Sequence, residues 1–77
     1  MEKVWIIFLR INGKQSVQAV YKQDAFEMGY VRHYAESLAW HWFNTEIESD
    51  VGSWGEDDNN CVIVESHNID ICCRSAP

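Results

Sequence analysis

The chain has 77 residues, of which 47% are hydrophobic, and a formal net charge of −6. This length allows one small domain, residues 1–77, and the apolar content excludes a disordered chain. Residues 44–73 contain eight acids and no Lys or Arg, whereas residues 1–43 contain four acids and five bases. Direct nucleic-acid binding is disfavoured, because affinity for phosphate needs clustered bases.

The first segment predicts a β-hairpin. Residues 4–11 are almost wholly apolar, Asn12-Gly13 is a strong two-residue turn signal, and residues 14–21 alternate as a returning strand. An ideal two-residue turn makes one face apolar on both strands, and we expect that face to be the core: Val4, Ile6, Phe8, Val17, Ala19 and Tyr21. The opposite row then needs cover from another strand edge, a loop or a second molecule: Trp5, Ile7, Leu9 and Ile11.

A long helix is predicted over residues 24–46. Asp24 and Glu27 resemble a capping box, and Gly29 inside the helix suggests a close approach to another backbone. Helical spacing gives an apolar stripe that would face the sheet: Met28, Val31, Ala35, Leu38, Ala39 and Trp42. A second stripe contains three aromatic residues and is either covered by the 47–60 loop or forms a contact surface: Phe26, Tyr30, His33, Ser37, Trp40 and Asn44.

The remaining sequence completes an α+β fold. Residues 49–60 are predicted to form a polar loop anchored by Val51 and Trp54, followed by strands over residues 61–66 and 69–73. The two strands would be joined near His67-Asn68. The order is therefore ββαββ, with one long helix packed on a mainly antiparallel four-stranded sheet.

No catalytic motif is present, and we expect neither enzyme activity nor a metal or cofactor. Cys61, His67, Cys72 and Cys73 lack a CxxC pair, and adjacent cysteines on a strand point to opposite faces. An odd number of cysteines disfavours a disulfide framework and agrees with a reducing compartment. The N-terminal apolar run is too short to span a membrane, so we expect a cytoplasmic protein.

The acids after the predicted helix are a candidate protein-binding surface. Six lie within 13 positions and could imitate the phosphates of a nucleic acid: Glu46, Glu48, Asp50, Glu56, Asp57 and Asp58. Aromatic side chains nearby in the fold could supply desolvated anchors: Phe26, Tyr30, Trp40 and Trp54. The alternative is an acidic loop that only keeps the domain soluble.

Small size, acidity and aromatic content together predict a non-enzymatic inhibitor that binds a basic surface of a nucleic-acid-processing complex. In composition the chain is similar to small phage-encoded inhibitors, including anti-CRISPR proteins, which act in the host cytoplasm. A second hypothesis is a homodimeric adaptor that buries the Trp5, Ile7, Leu9 and Ile11 row or the aromatic helix face. A third is a small metal- or thiol-dependent enzyme.

Overall fold

The computed structural model describes residues 2–70. The elements are β1 (Glu2–Ile11), β2 (Lys14–Lys22), α1 (Gln23–Glu27), α2 (Tyr30–Phe43), β3 (Gly52–Asp57) and β4 (Asn60–Ile69). The strands form one antiparallel sheet in the order β2-β1-β4-β3. The α+β class and the four-stranded antiparallel sheet are confirmed, and the element order is ββααββ.

The hairpin turn is confirmed at Asn12-Gly13. Both residues have positive φ, 53° and 81°, as a type I′ turn requires, and Ile11 pairs directly with Lys14. Gly13 also donates its backbone N–H to the Asn59 carbonyl at 3.0 Å. The β1–β2 turn is therefore held against the β3–β4 turn at the same end of the sheet.

The predicted core face of the hairpin is right for Val4, which is buried, and wrong for Ile6, Phe8 and Val17. The β2 residues Ala19 and Tyr21 also change face, because β2 contains a bulge. Phe8 pairs with Val17, but Ile7 pairs with Ala19, so Gln18 is an extra residue. A one-residue shift moves every following side chain to the other face of the sheet. Ala19 and Tyr21 consequently join the row that was expected to need cover, and the helices pack on that row. Its central members Trp5, Ile7 and Leu9 are buried.

The single helix over residues 24–46 is also wrong, because the chain breaks at Met28-Gly29. Gly29 has φ +86°, a conformation that ends α1 and cannot continue a right-handed helix. Asp24 lies inside α1 instead of capping it, and its carboxylate accepts the Ala25 N–H. The sheet therefore carries two short helices on one face.

The C-terminal half differs from the prediction because the polar segment supplies a strand. β3 comes from the expected 49–60 loop, and β4 runs without a turn through His67-Asn68 to Ile69. β4 pairs with β1 from Arg10↔Cys61 to Glu2↔Ile69. The predicted strand over residues 69–73 lies mostly outside the described residues.

The core lies between α2 and the Trp5 face of the sheet. It consists of buried side chains from β1, α2, β4 and the α2–β3 segment: Trp5, Ile7, Leu9, Val31, Ala35, Leu38, Ala39, Ile47, Val62 and Val64. The predicted helix stripe is right for its four central members. Its ends are not in the core: Met28 is 64% exposed and Trp42 is 49% exposed.

Candidate protein-binding surface

A small pocket lies at the C-terminal end of α2. It has a volume of about 170 Å³ and is lined by Glu36, Trp40, Thr45 and Glu46. Ligand sites for small molecules usually occupy about 300–1,000 Å³, so this pocket has room for the end of one side chain. Trp40 is 56% exposed beside it, which leaves much of the indole surface open to a partner.

The helix cap positions the pocket. Asn44 has φ 52°, its N–H donates to the Trp40 carbonyl at 3.0 Å, and the Thr45 N–H donates to the Ala39 carbonyl at 3.2 Å. The Asn44 bond is that of the αL motif, in which the residue in the left-handed position donates to the carbonyl four residues earlier. The motif turns the chain back along the helix, so that Thr45 and Glu46 lie beside Trp40. Ile47 then enters the core and fixes the turned segment.

The pocket is electronegative. Two of its four lining side chains are carboxylates, and none is Lys or Arg. The C-terminal carbonyls of α2 add the negative end of the helix dipole. An exposed indole face next to carboxylates favours a cation, since cation–π attraction and ion pairing act together. The arrangement therefore suits a Lys or Arg side chain.

The four predicted aromatic anchors divide into two exposed and two packed residues. Tyr30 and Trp40 are exposed. Phe26 instead stacks on Trp5 with ring centroids 3.9 Å apart and an interplanar angle of 13°. Trp54 is half-buried against the core. Phe26 and Trp54 therefore stabilise the fold, and neither offers a free aromatic face comparable with that of Trp40.

The 47–60 segment does not cover the aromatic side of α2. It crosses to the sheet edge and becomes β3, while Tyr30 and Trp40 remain more than half exposed. The row from Trp5 to Ile11 is not available to a second copy, because α1 and α2 lie on it. The aromatic helix face therefore remains exposed, whereas the Trp5 row is buried in the core of the chain itself.

The six predicted acids lie on three different segments. Only Glu46 lines the pocket; Glu48 and Asp50 are exposed on the α2–β3 segment, where Asp50 contacts Arg32 at 3.1 Å. Glu56 and Asp57 end β3 and Asp58 begins the turn. The Asp57 carboxylate accepts the Asn59 N–H at 2.8 Å, so it also holds that turn.

Cys61 is a buried, free thiol on β4. Burial raises the pKa of this thiol, and its carboxylate neighbours Asp58 and Asp57 act in the same direction, while Arg10 opposes them. A nucleophilic cysteine needs a lowered pKa. Within residues 2–70 no three His, Cys, Asp or Glu side chains are grouped as metal ligands. Cys72 and Cys73 lie outside the described residues.

Sequence reasoning missed Glu36, which completes the pocket. It lies four residues before Trp40 and so shares its side of the helix, a spacing visible in the sequence. It also missed the exposure of Val17 and Val20 on β2. Val17 pairs with Phe8 as an ideal turn predicts, and the bulge moves Val20 to the same face. No pattern in the sequence indicates that bulge.

Comparison with known proteins adds no further assignment. No protein-family model, curated protein or solved structure matches this chain. Neither helix in the described part of the chain is long and apolar enough to cross a bilayer.

Proposed function

We propose that this domain is a non-enzymatic inhibitor that binds a basic surface of a nucleic-acid-processing complex. The observation that carries the proposal is the Trp40 pocket, in which an exposed indole lies beside the carboxylates of Glu36 and Glu46. An Arg or Lys of the partner would enter this pocket. Occupying such a residue would deny it to the phosphate backbone that it normally binds.

The aromatic and the acidic residues contribute differently to binding. Interface affinity is concentrated in a few central side chains, often Trp, that become fully desolvated on binding. Trp40 is the residue of this kind on α2, because its ring is exposed while its backbone is held by the helix cap. Exposed acids such as Glu48 contribute mainly to orientation and association rate.

A pair of substitutions on one helix tests the pocket. Trp40→Ala should weaken binding to an arginine-rich peptide by about 2 kcal/mol or more, which is about 30-fold in Kd, measured by calorimetry. Trp42→Ala is the matched control, because Trp42 is also about half exposed (49%) but does not line the pocket. Equal losses in the two variants would contradict the assignment to Trp40.

A second measurement tests the inhibition itself. The wild-type domain should capture a nucleic-acid-processing complex from a lysate of its native cell and should reduce nucleic-acid binding by that complex. Trp40→Ala should do neither at the same concentration. A captured complex that still binds its nucleic acid fully would contradict the inhibitory function while leaving the binding function in place.

A further inference from the structure

The hairpin turn Asn12-Gly13 has a backbone chemistry of its own. Once it has lost its proton, the Gly13 nitrogen can attack the side-chain amide carbon of Asn12, so that ammonia leaves and a five-membered succinimide ring forms. Water then opens the ring at either carbonyl and leaves Asp or isoaspartate at position 12. A glycine at the second position favours the attack, because no side chain blocks its nitrogen. Of the five asparagines in the sequence, only Asn12 precedes a glycine.

The fold holds the nitrogen that would attack. The Gly13 N–H donates to the Asn59 carbonyl at 3.0 Å, and the positive φ values of Asn12 and Gly13 fix both residues in the turn. A hydrogen-bonded amide must leave its acceptor before it can lose its proton, as it must for amide hydrogen exchange. The Gly13 nitrogen therefore reacts only after its bond to Asn59 has broken.

Two further hydrogen bonds join the same pair of turns. The Asn12 N–H donates to the side-chain oxygen of Asn60 at 3.1 Å, and the Arg10 guanidinium donates to the Asp58 carbonyl at 2.6 Å. We call these two bonds, together with the bond of the Gly13 nitrogen, the turn clasp. Asn12, Gly13 and Asp58 are exposed, so the clasp can open by a local movement without unfolding the core.

We propose that Asn12 is a deamidation site whose rate is set by the opening of the turn clasp. In the closed clasp the Gly13 nitrogen is bonded and Asn12 is protected; in the open clasp the nitrogen is released and the ring can form. Overall, one side-chain amide and one water become one carboxylate and one ammonium ion. Solvent water is the co-reactant, and no electrons are transferred.

The product should weaken the clasp that protected its precursor. Deamidation places a negative charge at position 12, next to the turn at which Asp57 and Asp58 are already anionic. Isoaspartate also lengthens the main chain by one carbon, which a type I′ turn of two residues does not accommodate. The change is permanent because the ammonia has left. The proposal does not depend on the Trp40 pocket.

Peptide mapping by mass spectrometry, after incubation at mildly alkaline pH, tests the site and its protection. In guanidinium chloride the wild-type protein should convert Asn12 to a mixture of Asp and isoaspartate. The folded protein should do so at least about tenfold more slowly, because only its open fraction reacts. Absence of product at Asn12 in the unfolded protein would overturn the site. A folded rate closer than that to the unfolded rate would overturn the protection.

Two asparagines of one strand provide a matched test of the clasp. Asn60→Ala removes the acceptor of the Asn12 N–H and should speed deamidation of the folded protein about fivefold, the equivalent of one hydrogen bond. Asn68→Ala is the control, because Asn68 is exposed on the same strand opposite Lys3 and should leave the rate unchanged.

Hydrogen exchange of the Gly13 amide checks the mechanism independently of the chemical step. Exchange and deamidation both need the released nitrogen, so Asn60→Ala should accelerate them by the same factor. Deamidation of Asn60→Ala at the wild-type rate would overturn the role of the clasp. Faster deamidation with unchanged exchange at Gly13 would overturn release of the nitrogen as the controlling step.

Discussion

At the scale of single residues, burial of Cys61 changes the pKa of its thiol. Its thiol is 5% exposed, its Sγ lies 3.8 Å from the Asp58 carbonyl, and burial raises its pKa above the usual 9.0. The folded state therefore favours the neutral thiol. Because the folded pKa lies above the unfolded one, the thiol adds stability below about pH 9, and this stability is lost as the pH rises through the folded value.

The raised pKa of Cys61 predicts how the stability of the domain changes at alkaline pH. The free energy of unfolding of the wild-type protein should fall more steeply above about pH 9 than that of Cys61→Ala. Tyr and Lys residues titrate in both proteins, so the difference between the two curves isolates the thiol. Urea denaturation at several pH values measures it. Parallel curves would show that the thiol is not desolvated in the fold.

At the scale of elements, the break between α1 and α2 determines which helical residues reach the core. Gly29 adopts φ +86°, and an added Cβ would meet no atom within 4 Å. The constraint at this position is therefore backbone conformation and not space. The change of direction leaves Met28 exposed and lets Phe26 stack on Trp5.

We predict that Gly29→Ala destabilises the domain by about 1–2 kcal/mol, because a Cβ strains the left-handed conformation. Gly29→Asn should cost less, since Asn tolerates that conformation better than Ala. Chemical denaturation of the two variants gives the comparison. A Gly29→Ala variant as stable as the wild-type protein would contradict this prediction, because it would mean that residues 23–43 can form one continuous helix.

At the scale of the whole molecule, a net charge of −6 on 77 residues makes association with a basic partner dependent on salt. The acids lie on several segments, so they attract a basic partner through their summed electrostatic potential more than through a single contact. The Trp40 pocket, by comparison, is one local contact. The association rate with a basic partner and the affinity for it should therefore respond to different substitutions.

We predict that Glu56→Lys/Asp58→Lys lowers the association rate with an arginine-rich peptide several-fold and flattens its salt dependence. Glu2→Lys/Glu27→Lys changes the net charge equally outside this acidic segment and serves as the control. Trp40→Ala should mainly raise the dissociation rate. Stopped-flow kinetics at two salt concentrations would separate these effects, and equal responses to both charge reversals would assign the steering to net charge alone.

The sequence by itself determined the α+β class, the hairpin and the four central helix residues of the core. Each depends on neighbours in the chain: Asn12-Gly13 favours positive φ, and Val31 to Ala39 follow a helical period. The candidate site was predicted only in part. Tyr30 and Trp40 are exposed as a contact surface requires, whereas Phe26 and Trp54 pack inward.

Only the tertiary structure decided which face of β1 is buried and which residues meet Trp40. The Gln18 bulge places Ala19 and Tyr21 on the side of the sheet on which the helices pack, where they are partly buried against the core. The polar 49–60 segment becomes an edge strand because β4 offers it backbone partners. Both outcomes depend on burial and hydrogen bonding between distant residues, which no local pattern contains.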